Sequence, residues 1–369
     1  MRAALTSEPG GPTEIVGDVD LADPGPGQVR VAIHHCGLCH SDVTVMSGAT
    51  PSPVPCVTGH EASGVVTELG PGVTRLAVGD RVLLTPVPPC NSCYHCLRGE
   101  HSLCVNCESI ASGTFVDGTT GLSRKGELVY RGVGMGAFAD EVLSLETGAI
   151  KVPDDVDLAE VAVIGCAVQT GVGSVLNIAK VEEGATVLVM GLGGIGMSVV
   201  QGARLAGASR IIVSDPVASR RDLSQGFGAT DAIDPTQTDV IEAVMKTTGG
   251  IGADHAFEAV GAQSLIETGF NAIRNGGSLT LIGFAPLDHT LAGILPAMLM
   301  FSQKRLLGSV LGGVNSLRDI PRYIDLHRAG RLDLAGLVTS HRPLEELDLA
   351  VGDMDAGRGI RTVFDLVGA

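Results

Sequence analysis

The sequence contains no tryptophan and few other aromatic residues. Among its 369 residues only 8 are Phe and 3 are Tyr, too few to form the stacking platform that single-stranded nucleic acids use. Basic side chains are outnumbered by acidic ones, 25 against 41, which gives a formal net charge of -16. A field of that sign repels a polyanion, so we expect no nucleic-acid partner.

Long apolar runs and a basic N-terminal leader are also missing. The longest apolar stretches, such as residues 185–190 and 291–301, fall short of the roughly 18 residues that a membrane span needs. The chain does not begin with a basic segment followed by an apolar one, as a secretory signal does. We therefore expect a cytoplasmic protein without a membrane partner.

Glycine and short apolar segments are abundant instead. The 51 glycines show no three-residue period, which excludes collagen, and 44% of the residues are hydrophobic, which excludes a disordered chain. A length of 369 residues predicts about two domains.

The order of apolar segments indicates two architectures. Up to about residue 145, short apolar runs are separated by Gly and Pro turns, which is typical of a β-barrel-like domain. After Pro153, apolar strands alternate with amphipathic helices, which predicts a parallel doubly wound sheet. The first pattern returns near Leu306. We assign residues 1–167 and 306–369 to the β-domain and residues 168–305 to the α/β domain.

A glycine-rich turn predicts a dinucleotide site in the second domain. Gly191-Leu-Gly193-Gly194-Ile195-Gly196 follows an apolar strand and begins a helix, and Asp215 ends the next strand. The glycines allow a tight turn, close approach of a pyrophosphate and close helix packing, while the acid accepts hydrogen bonds from the ribose. Asp215 favours NAD over NADP, and Arg220 and Arg221 weaken that preference if they face the cofactor. The alternative is an ordinary turn with Asp215 as a helix cap.

Nine cysteines are present, and four of them lie within fifteen residues. In a chain without an export signal, cysteines favour metal ligation or catalysis over disulfides. The segment of about 88–107 therefore predicts a structural zinc site. An iron–sulfur cluster is the main alternative, although the spacing differs from the usual one. Cys107 competes for the place of the fourth ligand. The predicted ligands are Cys90, Cys93, Cys96 and Cys104.

A second set of soft ligands is spread along the chain. Cys39, His60 and Cys166 would together give three ligands and leave a fourth position open, which is the mark of a catalytic zinc. Taken singly, a residue such as Cys166 is more often a buried apolar residue, and one such as His60 is more often a structural histidine.

These motifs, in this order, resemble the zinc-dependent alcohol dehydrogenases of the medium-chain dehydrogenase/reductase family. The resemblance covers essentially the whole chain. Besides the four-cysteine segment and the glycine-rich turn with Asp215, it depends on Gly37-Leu-Cys39-x-Ser41-Asp42, Gly59-His60-Glu61-Ala62-x-Gly64, Val78-Gly79-Asp80-Arg81-Val82, Gly165-Cys166 with Thr170-Gly171, and Gly359-Ile-Arg361-Thr362.

The resemblance implies an α/β-plus-β fold and two kinds of cofactor. The fold is a GroES-like β-barrel catalytic domain, completed by the C-terminal segment, with a Rossmann domain that carries the doubly wound sheet. The cofactors are two zinc ions per chain, one catalytic and one structural, and NAD(H). Loop 107–131 is similar to that of the dimeric members, so we expect a homodimer.

Single residues receive roles from the same resemblance. Glu61 is implied as a carboxylate that approaches the catalytic zinc, and Asp42 as the group that orients His60. Ser41 would bond the substrate oxygen and pass its proton outward. The implied cofactor contacts are His40, Thr170, Gly191, Gly193, Gly194, Ile195, Gly196, Asp215, Arg220, Ile282, Phe284 and Arg361.

Two positions depart from the family. Thr44 stands where the best-studied members carry a histidine that hands the proton to solvent, so the outer relay is shortened, replaced by water or served by Thr44. Pro86 stands where the family often has an aromatic ring, which leaves the substrate size open.

The implied function is reversible oxidation of a primary or secondary alcohol to an aldehyde or ketone. Hydride would pass to NAD from the alcohol, bound to zinc as an alkoxide. A close alternative is a formaldehyde dehydrogenase that acts on an S-hydroxymethyl-thiol. An alternative of another class is a non-catalytic NAD- or redox-sensing protein on the same scaffold.

Overall fold

A computed structural model of the chain describes residues 1–286, 289–291 and 293–366. The chain forms two compact units, Met1–Ala167 with Asn315–Ala369, and Val168–Val314. Within the described residues no single helix is long and apolar enough to cross a membrane; one bent pair, Leu158–Gly165 with Ala167–Ala179, reaches that length and composition.

Nineteen strands are present in the described residues. In chain order they are β1 (Ala3–Thr6), β2 (Thr13–Val16), β3 (Val19–Leu21), β4 (Gln28–Gly37), β5 (Cys56–Val57), β6 (Glu61–Leu69), β7 (Arg81–Leu84), β8 (Leu122–Arg124), β9 (Glu127–Arg131), β10 (Glu141–Leu145), β11 (Ala149–Lys151), β12 (Thr186–Met190), β13 (Arg210–Ser214), β14 (Asp231–Ile233), β15 (Ala253–Glu258), β16 (Ile273–Leu281), β17 (Arg305–Gly308), β18 (Val338–Pro343) and β19 (Arg361–Asp365).

The α-helices of the described part vary from one to almost four turns. They are α1 (His40–Met46), α2 (Tyr94–Leu97), α3 (Ser109–Ser112), α4 (Leu158–Ala162), α5 (Ala167–Gly173), α6 (Gly194–Leu205), α7 (Ala218–Phe227), α8 (Val240–Thr247), α9 (Gln263–Ala272), α10 (Pro296–Ser302), α11 (Ser316–Arg328) and α12 (Leu347–Asp355).

The first unit is built on two sheets. One has the strand order β2-β1-β5-β9-β8-β3, and the other has β11-β7-β6-β4-β19-β18, with β10 paired to β4. In β4 the buried residues Val29, Val31 and Ile33 alternate with half-buried ones, because successive side chains of a strand point to opposite faces. β19 pairs with the end of β4 and with β18, so it lies inside this sheet and brings Arg361 next to Leu38, two residues before α1.

The second unit contains one parallel sheet in the order β14-β13-β12-β15-β16-β17. Numbered within the unit this order is 3-2-1-4-5-6, the arrangement of dinucleotide-binding folds. Residues 187–190 of β12 are completely buried, as expected for a parallel strand covered on both faces. The predicted fold class, a β-domain with a doubly wound α/β domain, is confirmed.

The second boundary differs from the expected one. We assigned residues 306–369 to the β-domain, but residues 306–314 belong to the second unit, because β17 pairs in parallel with β16. This strand has only four residues and precedes a glycine-rich segment, so the sequence around it does not show to which domain it belongs. Its pairing with β16 assigns it to the second unit. Residues 367–369 of the assigned range lie outside the described residues.

Candidate active site

The ligand atoms of Cys39, His60 and Cys166 lie within 4.8 Å of one another, and all three residues are buried. They come from distant parts of the first unit: Cys39 is the N-cap of α1, His60 precedes β6, and Cys166 precedes α5. Two thiol sulfurs and one imidazole are ligands that zinc prefers, and three ligands leave a coordination position open.

The imidazole of His60 is held by Asp42. Its Nδ1 lies 2.9 Å from Asp42 Oδ1, so Nδ1 carries the proton that it donates to the carboxylate. Within the described residues the buried Nε2 has no hydrogen-bond partner, which leaves its lone pair for a metal. Burial lowers the pKa of His60, but the charge and hydrogen bond of Asp42 raise it more, so that the net pKa lies well above its usual value.

Glu61 and Arg361 form a buried ion pair beside the ligands. Glu61 Oε1 lies 3.2 Å from Arg361 Nη2 and accepts the N–H of Ala167 at 3.1 Å. Arg361 Nη1 donates to the carbonyl of Leu38 at 2.8 Å. We expected Arg361 at the cofactor pyrophosphate; its contacts here are with the metal-site carboxylate and the Leu38 carbonyl, and its cofactor role stays a prediction.

The site is electrostatically prepared for a cation. The hydrogen bond with Cys166 is the main reason why the pKa of Cys39 lies well below its usual value, and Arg361 lowers it further. The same interaction raises the pKa of Cys166 well above its usual value. Burial raises the pKa of Glu61 to about 8, although Arg361 opposes this. A metal ion that binds here replaces protons on these groups.

Four cysteine sulfurs form a second cluster, also within 4.8 Å of one another. The sulfurs of Cys93 and Cys104 are 4.0 Å apart, close to the separation of about 3.8 Å that tetrahedral zinc imposes on two thiolates. Burial raises the pKa of Cys90, but hydrogen bonds from Ser92 and Cys93 lower it more, to about 6. Cys107 is not in the cluster, whose members are Cys90, Cys93, Cys96 and Cys104.

Comparison with known proteins gives the family. The alcohol dehydrogenase GroES-like domain matches residues 25–154, and the zinc-binding dehydrogenase family matches residues 194–328. The S-(hydroxymethyl)glutathione dehydrogenase of Escherichia coli O139:H28 is 37% identical over 366 residues, which are 98% of this chain and 98% of that protein. The chain belongs to the zinc-dependent medium-chain alcohol dehydrogenase family. It is therefore an oxidoreductase of a zinc-binding family. The three-residue group at Cys39 and the four-cysteine group both consist of ligands that suit zinc.

Two solved structures of this dehydrogenase family match almost the entire chain. Benzyl alcohol dehydrogenase from Acinetobacter calcoaceticus has 30% identity and a TM-score of 0.93, with 99% of each chain covered. A protein of Sinorhizobium meliloti 1021 described as a zinc-binding dehydrogenase, with NADP bound, has 27% identity and a TM-score of 0.82, again with 99% of each chain covered.

The glycine-rich turn of this dehydrogenase has a steric basis in the second unit. Gly191 has a φ of +88°, and a Cβ on Gly196 would lie 1.8 Å from the Gly191 carbonyl oxygen. Gly193 is the N-cap of α6, and a Cβ there would meet no atom within 4 Å. The N-terminus of α6, where Gly194 and Ile195 begin the helix, therefore faces open space that suits an anion.

Asp215 lies next to this turn. One carboxylate oxygen accepts the N–H of Leu192 at 2.7 Å, and the other accepts the N–H of Val217 at 2.8 Å. Arg221 donates to the Asp215 carbonyl and pairs with Asp234, so its charge is already engaged. Arg220 is half-buried on α7.

The predicted proton relay is only partly formed. Ser41 Oγ lies 3.8 Å from Cys39 Sγ, within reach of a group held by the metal ligands. The hydroxyl of Thr44 donates to the backbone carbonyl of Ser41 at 3.0 Å rather than to its side chain. In the described structure Thr44 therefore does not continue a chain of hydroxyls from Ser41.

The remaining predicted cofactor residues lie in both units. His40 is exposed, and the buried hydroxyl of Thr170 on α5 has no partner within the described part of the chain. The N–H of Ile282 donates to the Glu258 carbonyl at 2.9 Å, and Phe284 is 54% exposed. Their roles toward a cofactor stay predictions.

Sequence reasoning missed Glu258. This buried carboxylate ends β15, and its Oε1 accepts the N–H groups of Val260 and Gly261, both at 2.8 Å. It thereby fixes the loop at the same sheet edge as the Gly191 turn. An acid as the last residue of the strand Ala253–Glu258 is the signal that could have found it.

Proposed function

We propose that this protein is an NAD-linked alcohol dehydrogenase that interconverts a primary or secondary alcohol with the aldehyde or ketone. The observation that carries the proposal is the buried group of Cys39, His60 and Cys166, in which His60 Nε2 has no partner in the described structure. Zinc held by these residues supplies Lewis acidity, which lowers the pKa of a bound hydroxyl and polarises a carbonyl.

The chain's own residues carry the other steps of the proposal. Asp42 fixes His60 in the tautomer that presents Nε2. Ser41, beside Cys39, accepts the substrate proton and releases it toward water, because Thr44 is bonded to the backbone. The open N-terminus of α6 takes the cofactor pyrophosphate, and the anionic Asp215 favours NAD because it repels a 2′-phosphate.

A second candidate is dehydrogenation of an S-hydroxymethyl-thiol. The relative at 37% identity over 98% of both chains is an S-(hydroxymethyl)glutathione dehydrogenase, which favours this second function. The same ligand group and the same hydride transfer would serve it, since an S-hydroxymethyl-thiol also carries a CH2OH group, whose oxidation gives an S-formyl thioester.

One assay panel separates these functions. The zinc-loaded protein is incubated with NAD or NADP and with primary, secondary and aromatic alcohols, and formaldehyde is tested with and without glutathione. We expect NADH formation from alcohols that is lost in the Cys166→Ser variant. Turnover of formaldehyde only with the thiol would favour the second candidate. Cofactor binding without any turnover would favour the non-catalytic sensor and contradict both.

A further inference from the structure

The hydroxyl of Ser309 lies at the carboxyl end of the parallel sheet in the second unit. Ser309 directly follows β17, and its N–H donates to the carbonyl of Leu281, the last residue of β16, at 3.0 Å. The residue is half-buried, so its backbone is fixed while its side chain stays accessible. In open α/β sheets, ligands bind outside the carboxyl ends of the strands.

A chain of hydrogen bonds fixes the direction of the Ser309 hydroxyl. Ser174 is completely buried, and its Oγ donates to the carbonyl of Thr170 at 2.6 Å. The Oγ atoms of Ser174 and Ser309 are 2.7 Å apart. Because a hydroxyl has only one proton and that of Ser174 is used at the carbonyl, the proton of Ser309 points to Ser174. Ser309 Oγ can therefore only accept a further hydrogen bond, and among the described residues no group donates to it.

The segment that follows Ser309 is held closely against α5. Asn177 Nδ2 donates to the carbonyl of Gly312 at 3.1 Å, and a Cβ on Gly312 would lie 2.3 Å from the carbonyl oxygen of Gln169. No methyl group fits between this segment and α5. The acceptor oxygen of Ser309 is therefore arranged in advance, and a ligand that bonds to it does not have to order the segment first.

This oxygen lies on the half of the sheet that the adenosine end of a dinucleotide does not occupy. The fold consists of two mononucleotide-binding halves, and the Gly191 turn with Asp215 belongs to the first, so the nicotinamide half lies over β15, β16 and β17. Contacts connect the halves. A Cβ on Gly191 would lie 2.4 Å from Cγ2 of Val260, and a Cβ on Gly283 would lie 2.4 Å from the carbonyl carbon of Val260. Gly283 follows β16, whose end is bonded to Ser309.

The nicotinamide ring carries a carboxamide, whose amino group donates hydrogen bonds and whose carbonyl accepts them. An oxygen that can only accept matches the amino group. We propose that Ser309 Oγ accepts a hydrogen bond from the carboxamide amino group of NAD(H), and that Ser174 is the positioning residue that turns the proton of Ser309 away from it. The inference rests on the proposed NAD-linked function and adds a residue to its cofactor site.

A cofactor analogue without the amino group tests this contact. Reduced 3-acetylpyridine adenine dinucleotide has a methyl ketone in place of the carboxamide, so it keeps the carbonyl and loses both donors. Isothermal titration of the zinc-loaded full-length protein gives the Kd of this analogue and of NADH. In Ser309→Ala we expect the Kd for NADH to rise about 3–10-fold, as the loss of one neutral hydrogen bond does. The Kd for the analogue should change less than about twofold.

Three further variants serve as controls. Ser309→Thr keeps the hydroxyl and should keep the wild-type ratio of the two Kd values. Ser174→Ala frees the proton of Ser309 and should lose part of the preference for NADH. Ser224→Ala, on α7, removes another completely buried hydroxyl that donates to a backbone carbonyl, that of Arg221 at 2.6 Å, and should leave the ratio unchanged.

Two results would overturn the proposal. Equal weakening of NADH and analogue binding in Ser309→Ala would show that Ser309 only holds the end of β17, and an unchanged Kd for both would show that it does not touch the cofactor. If the wild type binds only NADPH, the same ratio is measured with NADPH and its acetylpyridine analogue.

The titration needs no alcohol, so its outcome is separate from that of the proposed function. Turnover of alcohols together with an unchanged ratio in Ser309→Ala overturns this inference alone. Selective weakening of NADH binding without turnover of any alcohol supports the contact and contradicts the proposed function.

Discussion

At the scale of single residues, Asp42 connects three parts of the candidate metal site. Its carboxylate accepts the N–H of Cys39 at 3.1 Å and that of Gly59 at 2.8 Å, and it faces His60 Nδ1 at 2.9 Å. It is completely buried. The Asp42 side chain therefore fixes the start of α1 at Cys39, the backbone of Gly59 and the imidazole of His60.

Asp42→Asn should weaken zinc binding at the three-ligand site. The amide keeps the shape, but it cannot accept all three hydrogen bonds, and groups that orient a metal-ligating histidine contribute about 10–100-fold in affinity. Competition with a chromogenic chelator measures the loss. The four-cysteine site should keep its zinc, and Asp20→Asn, at an exposed position of β3, should bind both ions like the wild type. Equal zinc affinity in Asp42→Asn would show that Asp42 is not needed for His60.

At the scale of elements, the turn between β12 and α6 distinguishes glycines that serve packing from those that serve a ligand. A Cβ on Gly196 collides with backbone, whereas a Cβ on Gly193 points into empty space. Glycine is therefore needed for two different reasons within one motif: close packing at Gly196 and space for a ligand at Gly193.

Gly196→Ala and Gly193→Ala should therefore separate stability from cofactor affinity. Gly196→Ala should lower the free energy of unfolding by about 1–3 kcal/mol, as overpacking does. Gly193→Ala should keep the wild-type stability but bind NADH about tenfold more weakly or worse, because the methyl group occupies the space at the helix N-terminus. Thermal unfolding and NADH fluorescence titration measure the two effects. Wild-type NADH affinity in Gly193→Ala would remove this turn from the cofactor site.

Asp254 links two strands of the parallel sheet. Its carboxylate accepts the N–H of Thr186 at 2.7 Å, at the start of β12, and binds Arg274 at 2.6 Å. Burial raises the pKa of Asp254, but these two hydrogen bonds lower it more, so the net pKa lies below its usual value.

Asp254→Asn should destabilise the fold in a pH-dependent way. Because the folded-state pKa is lowered, the stabilisation is complete above the unfolded-state pKa of about 3.9 and is lost as the pH falls through the folded-state value. Urea unfolding should show a deficit of about 1–2 kcal/mol in the variant at pH 7. The deficit should shrink steadily below about pH 4. A deficit that is the same at pH 3 and pH 7 would mean that the charge contributes nothing.

At the scale of the whole molecule, both metal groups lie in one of the two units. All seven ligands are in the unit formed by Met1–Ala167 and Asn315–Ala369, whereas the parallel sheet has its own core around Leu188, Ile212 and Leu279. We therefore expect the two units to depend on zinc to different extents.

Removal of zinc by a chelator should loosen the first unit selectively. We expect amide hydrogen exchange to become at least about tenfold faster in residues 88–107 and around Cys39 and Cys166, which equals a local loss of about 1.4 kcal/mol. Exchange in β12 and β15 should stay unchanged. Restored protection after zinc is added back is the control. Uniform acceleration in both units would contradict the independence of the parallel sheet from zinc.

Sequence alone determined the features that are encoded locally. Four cysteines within fifteen residues lie close enough along the chain to share one metal ion. The strand, glycine-rich turn and helix that end at Leu205 are contiguous, so spacing and periodicity predicted both features. The alternation of strands and helices likewise predicted a parallel sheet.

Tertiary structure decided what depends on distant contacts. It brought Cys39, His60 and Cys166 together, paired Arg361 with Glu61, placed β17 beside β16, and bonded Ser174 to Ser309. Each of these features joins segments that lie far apart in the chain or depends on what surrounds a side chain in space. A linear sequence does not contain that distance information, because packing and burial, rather than local propensity, fix which side chains meet.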